Sequence, residues 1–315
     1  VSDQPSHPRL SALVERAARR ATHASAPVLA LVHPCDRLAL EVAVQMSASG
    51  LARPMLVGGR DLIRRAADDS AIEIDDFEII ATDPAPAVAA QHAAELARQG
   101  VVGALMKGSL HTDELMSAVV SKSAGLRTDR RISHAFLFDL PRYHKLLALA
   151  DCVVNIQPDL KTKRDILSNA LALLRQLGVS RPKVGIVAAV ETVNPAIAAT
   201  LDAQALVAMA RDGAWPGAVI EGPFGFDNVI SAEAARIKKI DSEVAGDPDL
   251  LLMPDLNAGN MLYKSFNYIG GGDCAGLVLG AKVPIVLTSR ADSVPSRLAS
   301  VALAVLATRS STPDY

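Results

Sequence analysis

An α/β protein with a largely parallel sheet is the fold class this chain predicts, and three observations predict it. Short apolar runs alternate with longer segments of helical period, and glycine turns mark many of the passages between them. Aromatic residues make up only 3% of the chain, so Ala, Val, Leu and Ile must fill the interior, which suits wound layers of strand and helix rather than a sandwich. With 315 residues, 50% of them apolar and 21% charged, the chain exceeds one typical domain and can bury a large core.

In order, Arg9 to Ala24 spaces Leu10, Leu13, Val14 and Ala17 along one helical face. Pro27 to Val32 then reads as a strand, Leu38 to Ser49 as a helix closed by Gly50, and Pro54 to Val57 as a strand closed by Gly58 and Gly59. The alternation continues with a helix over 60–67, an extended stretch over 77–80, a helix over 85–99 stopped by Gly100, and a strand over 102–106. After that strand, Lys107-Gly108-Ser109 leads into a helix over 113–121. A glycine turn between strand end and helix start offers backbone N–H groups to an anion, with Lys107 and Ser109 as further donors, although such turns occur throughout α/β proteins.

The second half predicts strands over 135–140 and 151–156, a long helix over 159–177 with one apolar face, a strand over 183–188, a helix over 202–212 and a strand over 218–220. The segment 231–239 is expected to be helical. The densest stretch follows. Leu250 to Met253 is an apolar run stopped by Pro254, the turn Asp255 to Asn260 feeds a helix over 261–269, and apolar runs over 275–279 and 283–287 end in Thr288-Ser289-Arg290-Ala291-Asp292-Ser293 before a helix over 296–306. Open parallel sheets bind ligands at such carboxyl ends of strands.

PDLNAGNMLYKS and GAKVPIVLTSRADS resemble the phosphate acetyl/butyryltransferase family, and LYKS with VPIVLTSRADS is closer to the wording of its butyryltransferase branch. EGPFGFDNVISAEAA, PKVGIVAAVETVNP and RRISHAFLFDLPRY are similar to that family too, in the expected order, so the resemblance runs from about His33 to Ala307. It implies two three-layer αβα domains with a cleft between them, as in the isocitrate and isopropylmalate dehydrogenases. The first domain would be 1–138 with 281–315 and the second 139–280. It further implies exchange of coenzyme A for phosphate on a short acyl group, with acyl-CoA as substrate, no tightly bound cofactor, and a homodimer.

That reaction must hold two polyanions together, which needs fixed cations and N–H dipoles. Arg290 suits phosphate because a planar guanidinium binds it bidentately, and Ser289 beside it can donate to the thioester oxygen. Asp292 and Ser293 are candidates for proton management, since the family's acetyltransferases carry an Asp where this chain has Ser296. Those enzymes also carry an Arg where this chain has Met116. Family arginines that meet phosphate groups point to the patch LRTDRR, with Arg130 the candidate carried forward from Arg127, Arg130 and Arg131. Asn257, Gly259 and Asn260 can approach a ligand, or simply form the turn and cap the following helix.

Other classes are disfavoured. Thirty-two basic against 34 acidic residues give a net charge of −2, without the basic field that nucleic-acid binding needs. Cys35, Cys152 and Cys274 lack metal or disulfide spacing and read as buried small apolar residues of a reducing cytoplasm, and no metal site is expected. No apolar run has membrane length, and the N-terminus lacks a signal-peptide layout. The rivals are an acyl-CoA-binding sensor without turnover, left open by Met116 and Ser296, and a metal-dependent dehydrogenase of the same architecture.

Overall fold

The computed structural model describes residues 7–21, 26–287 and 292–308. Internal contacts divide the chain into two compact units, one running to Arg130 and resuming at Ala275, the other Arg131–Cys274. Asp139, where the sequence suggested a boundary, is the last residue of a strand within the second.

The first unit opens with α1 (Pro8–Arg20), β1 (Val28–Val32), α2 (Arg37–Ala48), β2 (Arg53–Gly58), α3 (Arg60–Ser70), β3 (Glu78–Ala81), α4 (Pro86–Arg98), β4 (Ala104–Lys107) and α5 (Thr112–Val120). The second contains β5 (Ser133–Asp139), β6 (Leu147–Ala150), α6 (Leu160–Gln176), β7 (Lys183–Val187), α7 (Ala198–Arg211), β8 (Val219–Phe224), α8 (Phe226–Ile230), α9 (Ala232–Ile237), β9 (Leu250–Leu252) and α10 (Leu256–Tyr268). The first unit is then completed by β10 (Asp273–Leu279), whose first two residues still belong to the second, and by β11 (Ile285–Val286) and α11 (Val294–Ala307).

In the first unit the strands lie in the order β3-β2-β1-β4-β11-β10, parallel as far as β11, with β10 antiparallel through Val278 opposite Ile285. β1 and β4 are buried almost without interruption, as continuous apolar strands must be when both sheet faces are covered. α11 packs on α1 and α2, while α4 packs on α5 and on β1 and β2. The short β11 follows from Pro284, which has no N–H to give to a ladder.

The second unit orders its strands β5-β6-β9-β7-β8, with only β5 and β6 antiparallel. Phe138, Leu147, Leu149, Phe224, Val229 and Leu251 meet in its core. The sequence expectation of a strand over 151–156 fails here, because the pairing strand is Leu147–Ala150. Asp151 Oδ1 accepts the N–H groups of Val153 and Val154 at 2.8 and 2.9 Å, so a side chain takes the donors that a ladder would need.

At the amino-terminal ends of β7 and β9, Asp247 accepts hydrogen bonds from His144, Lys145 and Lys183 at 2.7–2.8 Å. Partial burial pushes its pKa up, but the three donors outweigh burial and hold the carboxyl well below the usual carboxylate range. A depressed native pKa stabilises the fold above the unfolded-state value of about 4 and loses that contribution as pH falls below it. Asp247→Asn is therefore expected to lower stability by about 1 kcal/mol at pH 7, a figure kept small by solvent screening. Denaturant titrations at pH 7 and pH 3 check this, since the gap from wild type must shrink at the lower pH.

Candidate functional site

The polar residues singled out by the sequence fall into two groups, one in each unit. In the first unit, β1 and β4 end side by side, with Val32 opposite Lys107. Gly108 N–H donates to Val32 O and Ser109 N–H to His33 O, both at 2.9 Å, so the two strand-end turns are laced together. A Cβ on Gly108 would sit 2.5 Å from Val32 O and 2.8 Å from His33 O, so only glycine allows this approach. Ser109 Oγ accepts from Cys35 N at 3.1 Å and donates to the Asp36 carboxylate. The other Asp36 oxygen accepts from Ala39 N at 2.8 Å, capping α2. Lys107 is buried, its ammonium donating to Leu110 O at 3.1 Å.

Ser293 caps α11, its Oγ accepting from Ser296 N at 3.2 Å and sharing a 2.8 Å hydrogen bond with Ser296 Oγ. Asp292 O accepts from Nε of Arg297, a buried residue at 3.3 Å. Burial pulls the Arg297 pKa below its ordinary value, while the Asp292 and Asp36 carboxylates pull the other way. Ser289 and Arg290 lie outside the described residues.

Sequence reasoning missed Asp36 and Arg297. Their signals were modest: an Asp directly before a helix, and one charged residue in the otherwise uncharged helix 294–307. Burial, then Asp36, pushes the Cys35 thiol up to about 11, so it is a poor nucleophile. Burial also pushes His33 down against the pull of Glu114, and His33 Nδ1 is buried with no hydrogen-bond partner among the described residues.

In the second unit, Asn257, Gly259 and Asn260 are not in a turn before the helix. They occupy its first turns, because the Asp255 carboxylate accepts from Ala258 N at 2.9 Å and starts α10 at Leu256. Asn257 is exposed and available to a ligand. Asn260 Nδ2 donates to Cys152 O at 3.1 Å, and a Cβ on Gly259 would lie 2.5 Å from Asp151 O, so both also serve the seating of α10. Arg130, which belongs to the first unit, is exposed, with its N–H donating to Thr128 Oγ1 at 3.2 Å. Among the described residues no helix is long and apolar enough to cross a membrane, and no three His, Cys, Asp or Glu side chains gather as a metal-holding group.

The family model described as phosphate acetyl/butaryl transferase matches residues 87–305. The chain belongs to that family. The phosphate acetyltransferase of Rhizobium meliloti is 49% identical to this phosphate acetyl/butaryl transferase family member over 287 residues, 91% of this chain and 90% of that one. The phosphate butyryltransferase of Clostridium acetobutylicum is 38% identical over 271 residues, 86% of this chain and 90% of that one. Overall identity thus does not follow the short motifs that pointed to the butyryltransferase branch. Among solved structures, a branched-chain phosphotransacylase from Enterococcus faecalis V583 superposes with a TM-score of 0.79 at 26% identity, covering 90% of this chain and 99% of that one.

Proposed function

We propose that this protein is a phosphate acyltransferase, converting acyl-CoA and inorganic phosphate to acyl phosphate and coenzyme A. The observation that carries the reading is the family match over 87–305, which spans both Lys107-Gly108-Ser109 and the 289–293 stretch. Arg290 holds phosphate bidentately, with Lys107 and Arg130 adding positive charge for the anionic groups, while Ser109, its donors already given to Asp36 and His33 O, holds the turn that carries Lys107. Asn257, exposed at the start of α10, presents its amide to the coenzyme, while Gly259 and Asn260 seat that helix. Phosphate oxygen attacks the thioester carbon directly, Ser289 donates to the oxygen that becomes anionic, and collapse breaks the C–S bond. The departing thiolate takes its proton from the phosphate side or through Asp292 and Ser293, and needs only weak help because its pKa is near neutrality.

The acyl group is short, from acetyl to butyryl, and the enzyme works as a cytoplasmic homodimer. Met116 and Ser296, where the resemblance implies an Arg and an Asp in acetyltransferases, favour one second reading: an acyl-CoA sensor that binds without turnover. Thiol release from acetyl-, propionyl- and butyryl-CoA, with and without phosphate, decides between them. The expected result is phosphate-dependent release with no radiolabelled acyl group retained on the protein. Phosphate-independent release would indicate a hydrolase, and no release with any acyl group would leave the sensor.

A further inference from the structure

Arg131 is exposed, yet it stands on a frame of buried polar side chains. Its N–H donates to the Asp165 carboxylate at 3.1 Å, its carbonyl oxygen accepts from Asn169 Nδ2 at 2.9 Å, and its Nε donates to Asn155 Oδ1 at 3.3 Å. Asn155 is itself fixed, with Nδ2 donating to Ile132 O at 3.0 Å and to the Asp151 carboxylate at 2.6 Å. All four supporting residues, Asp151, Asn155, Asp165 and Asn169, are 3–6% exposed.

Buried polar side chains are costly unless their hydrogen bonds are made, and a merely solvated arginine gains nothing from such support. With Nε engaged, the guanidinium plane is set, and its Nη edge has no hydrogen-bonded acceptor among the described residues. The neighbouring carboxylates are already engaged. Asp159 caps α6 through Thr162 N, and Asp165 takes both Arg131 N–H and Arg164. Thr162 does most to hold Asp159 below the usual carboxylate range, with smaller contributions from Lys161 and Arg131, so these two cations share one neighbourhood. Arg130, by contrast, is tethered among the described residues through its backbone N–H alone.

We infer that Arg131 is a pre-set binding residue for a phosphoryl oxyanion of the substrates, and that Asn155 positions it. The proposal rests on the phosphate acyltransferase reading. Two sources share this chemistry, inorganic phosphate and the phosphates of coenzyme A, and separate Michaelis constants tell them apart.

The test uses the full chain with Arg131→Met, Arg131→Lys, Asn155→Ala and, as a same-unit exposed control, Arg211→Met. Because Arg131 is exposed, its variants are expected to melt near wild type. Arg131→Met is expected to raise the KM for one substrate about tenfold with kcat changed less than about threefold, and lysine, lacking the planar fork, to recover little of this. A raised KM for acyl-CoA assigns the coenzyme, and a raised KM for phosphate assigns the inorganic anion. Asn155→Ala, with the arginine still present, is expected to raise the same KM by about threefold or more, which simple loss of stability would not do.

Both KM values within about twofold of wild type in Arg131→Met overturn the proposal. If wild type lacks phosphate-dependent thiol release, the acyltransfer reading fails on its own. The oxyanion site is then decided by calorimetric titration with coenzyme A and with inorganic phosphate, where equal affinities for wild type and Arg131→Met would sink it.

Discussion

Arg290→Met is expected to lower kcat/KM for phosphate by about 10²–10³-fold while leaving the melting temperature unchanged. The reaction brings a phosphate dianion to a thioester whose carbonyl oxygen becomes negative, so the step is limited by how well charge is met at that point. A guanidinium meets two phosphate oxygens at once in one plane, whereas a methionine of similar length offers no donor. Arg290→Lys is expected to recover less than a tenth of the loss, because an ammonium supplies charge without the paired geometry. Steady-state kinetics with phosphate varied at saturating acyl-CoA check this, and a Met variant within about threefold of wild type would refute the role.

Gly108→Ala carries the second large effect, and it should appear in stability and activity together. The added methyl would meet two backbone carbonyl oxygens, at 2.5 Å from Val32 O and 2.8 Å from His33 O. Neither is a flexible side-chain tip, so the turn after β4 must move away from the turn after β1. That movement breaks the Gly108 N–H to Val32 O and Ser109 N–H to His33 O bonds and displaces Ser109 from Asp36. Overpacking of this kind typically costs about 1–3 kcal/mol. If the turn carries Lys107 at the site proposed above, a shift of about 1 Å there is expected to lower activity by about 10²-fold. Denaturant unfolding and kcat/KM measured on the same preparation test both halves, and an alanine variant matching wild type in both would show that the turn is looser than its geometry.

Much of this was legible in the sequence because burial on both sheet faces leaves an unbroken apolar run. Val28–Val32 and Ala104–Lys107 could be recognised without any tertiary knowledge. The segment after Ala150 misled because its valines and isoleucine have strand character, while the Asp151 carboxylate bends the backbone by capturing the amides that follow. The start of α10 was hidden for a related reason: Asn and Gly are weak helix formers, yet the Asp255 cap and the close seating of Gly259 on Asp151 override propensity. At the candidate site, Lys107 and Ser109 were put forward from a strand-end glycine turn, and the structure shows that turn after β4. Asp36 was not, because positions 36 and 109 are joined only once the turns after β1 and β4 meet. Arg131 was indistinguishable from Arg127 and Arg130 until the side chains beneath it were seen.

The return of the chain to its first unit orders events on the ribosome. When Arg130 has emerged, β4 still presents a bare edge, since the strand that covers it, β11, and the helix that lies over α1 and α2 are encoded more than 150 residues later. The contiguous stretch Arg131–Cys274 has no such wait and can collapse as soon as it is made. The opening stretch of the chain therefore cannot complete its own sheet until nearly the last residues have been made.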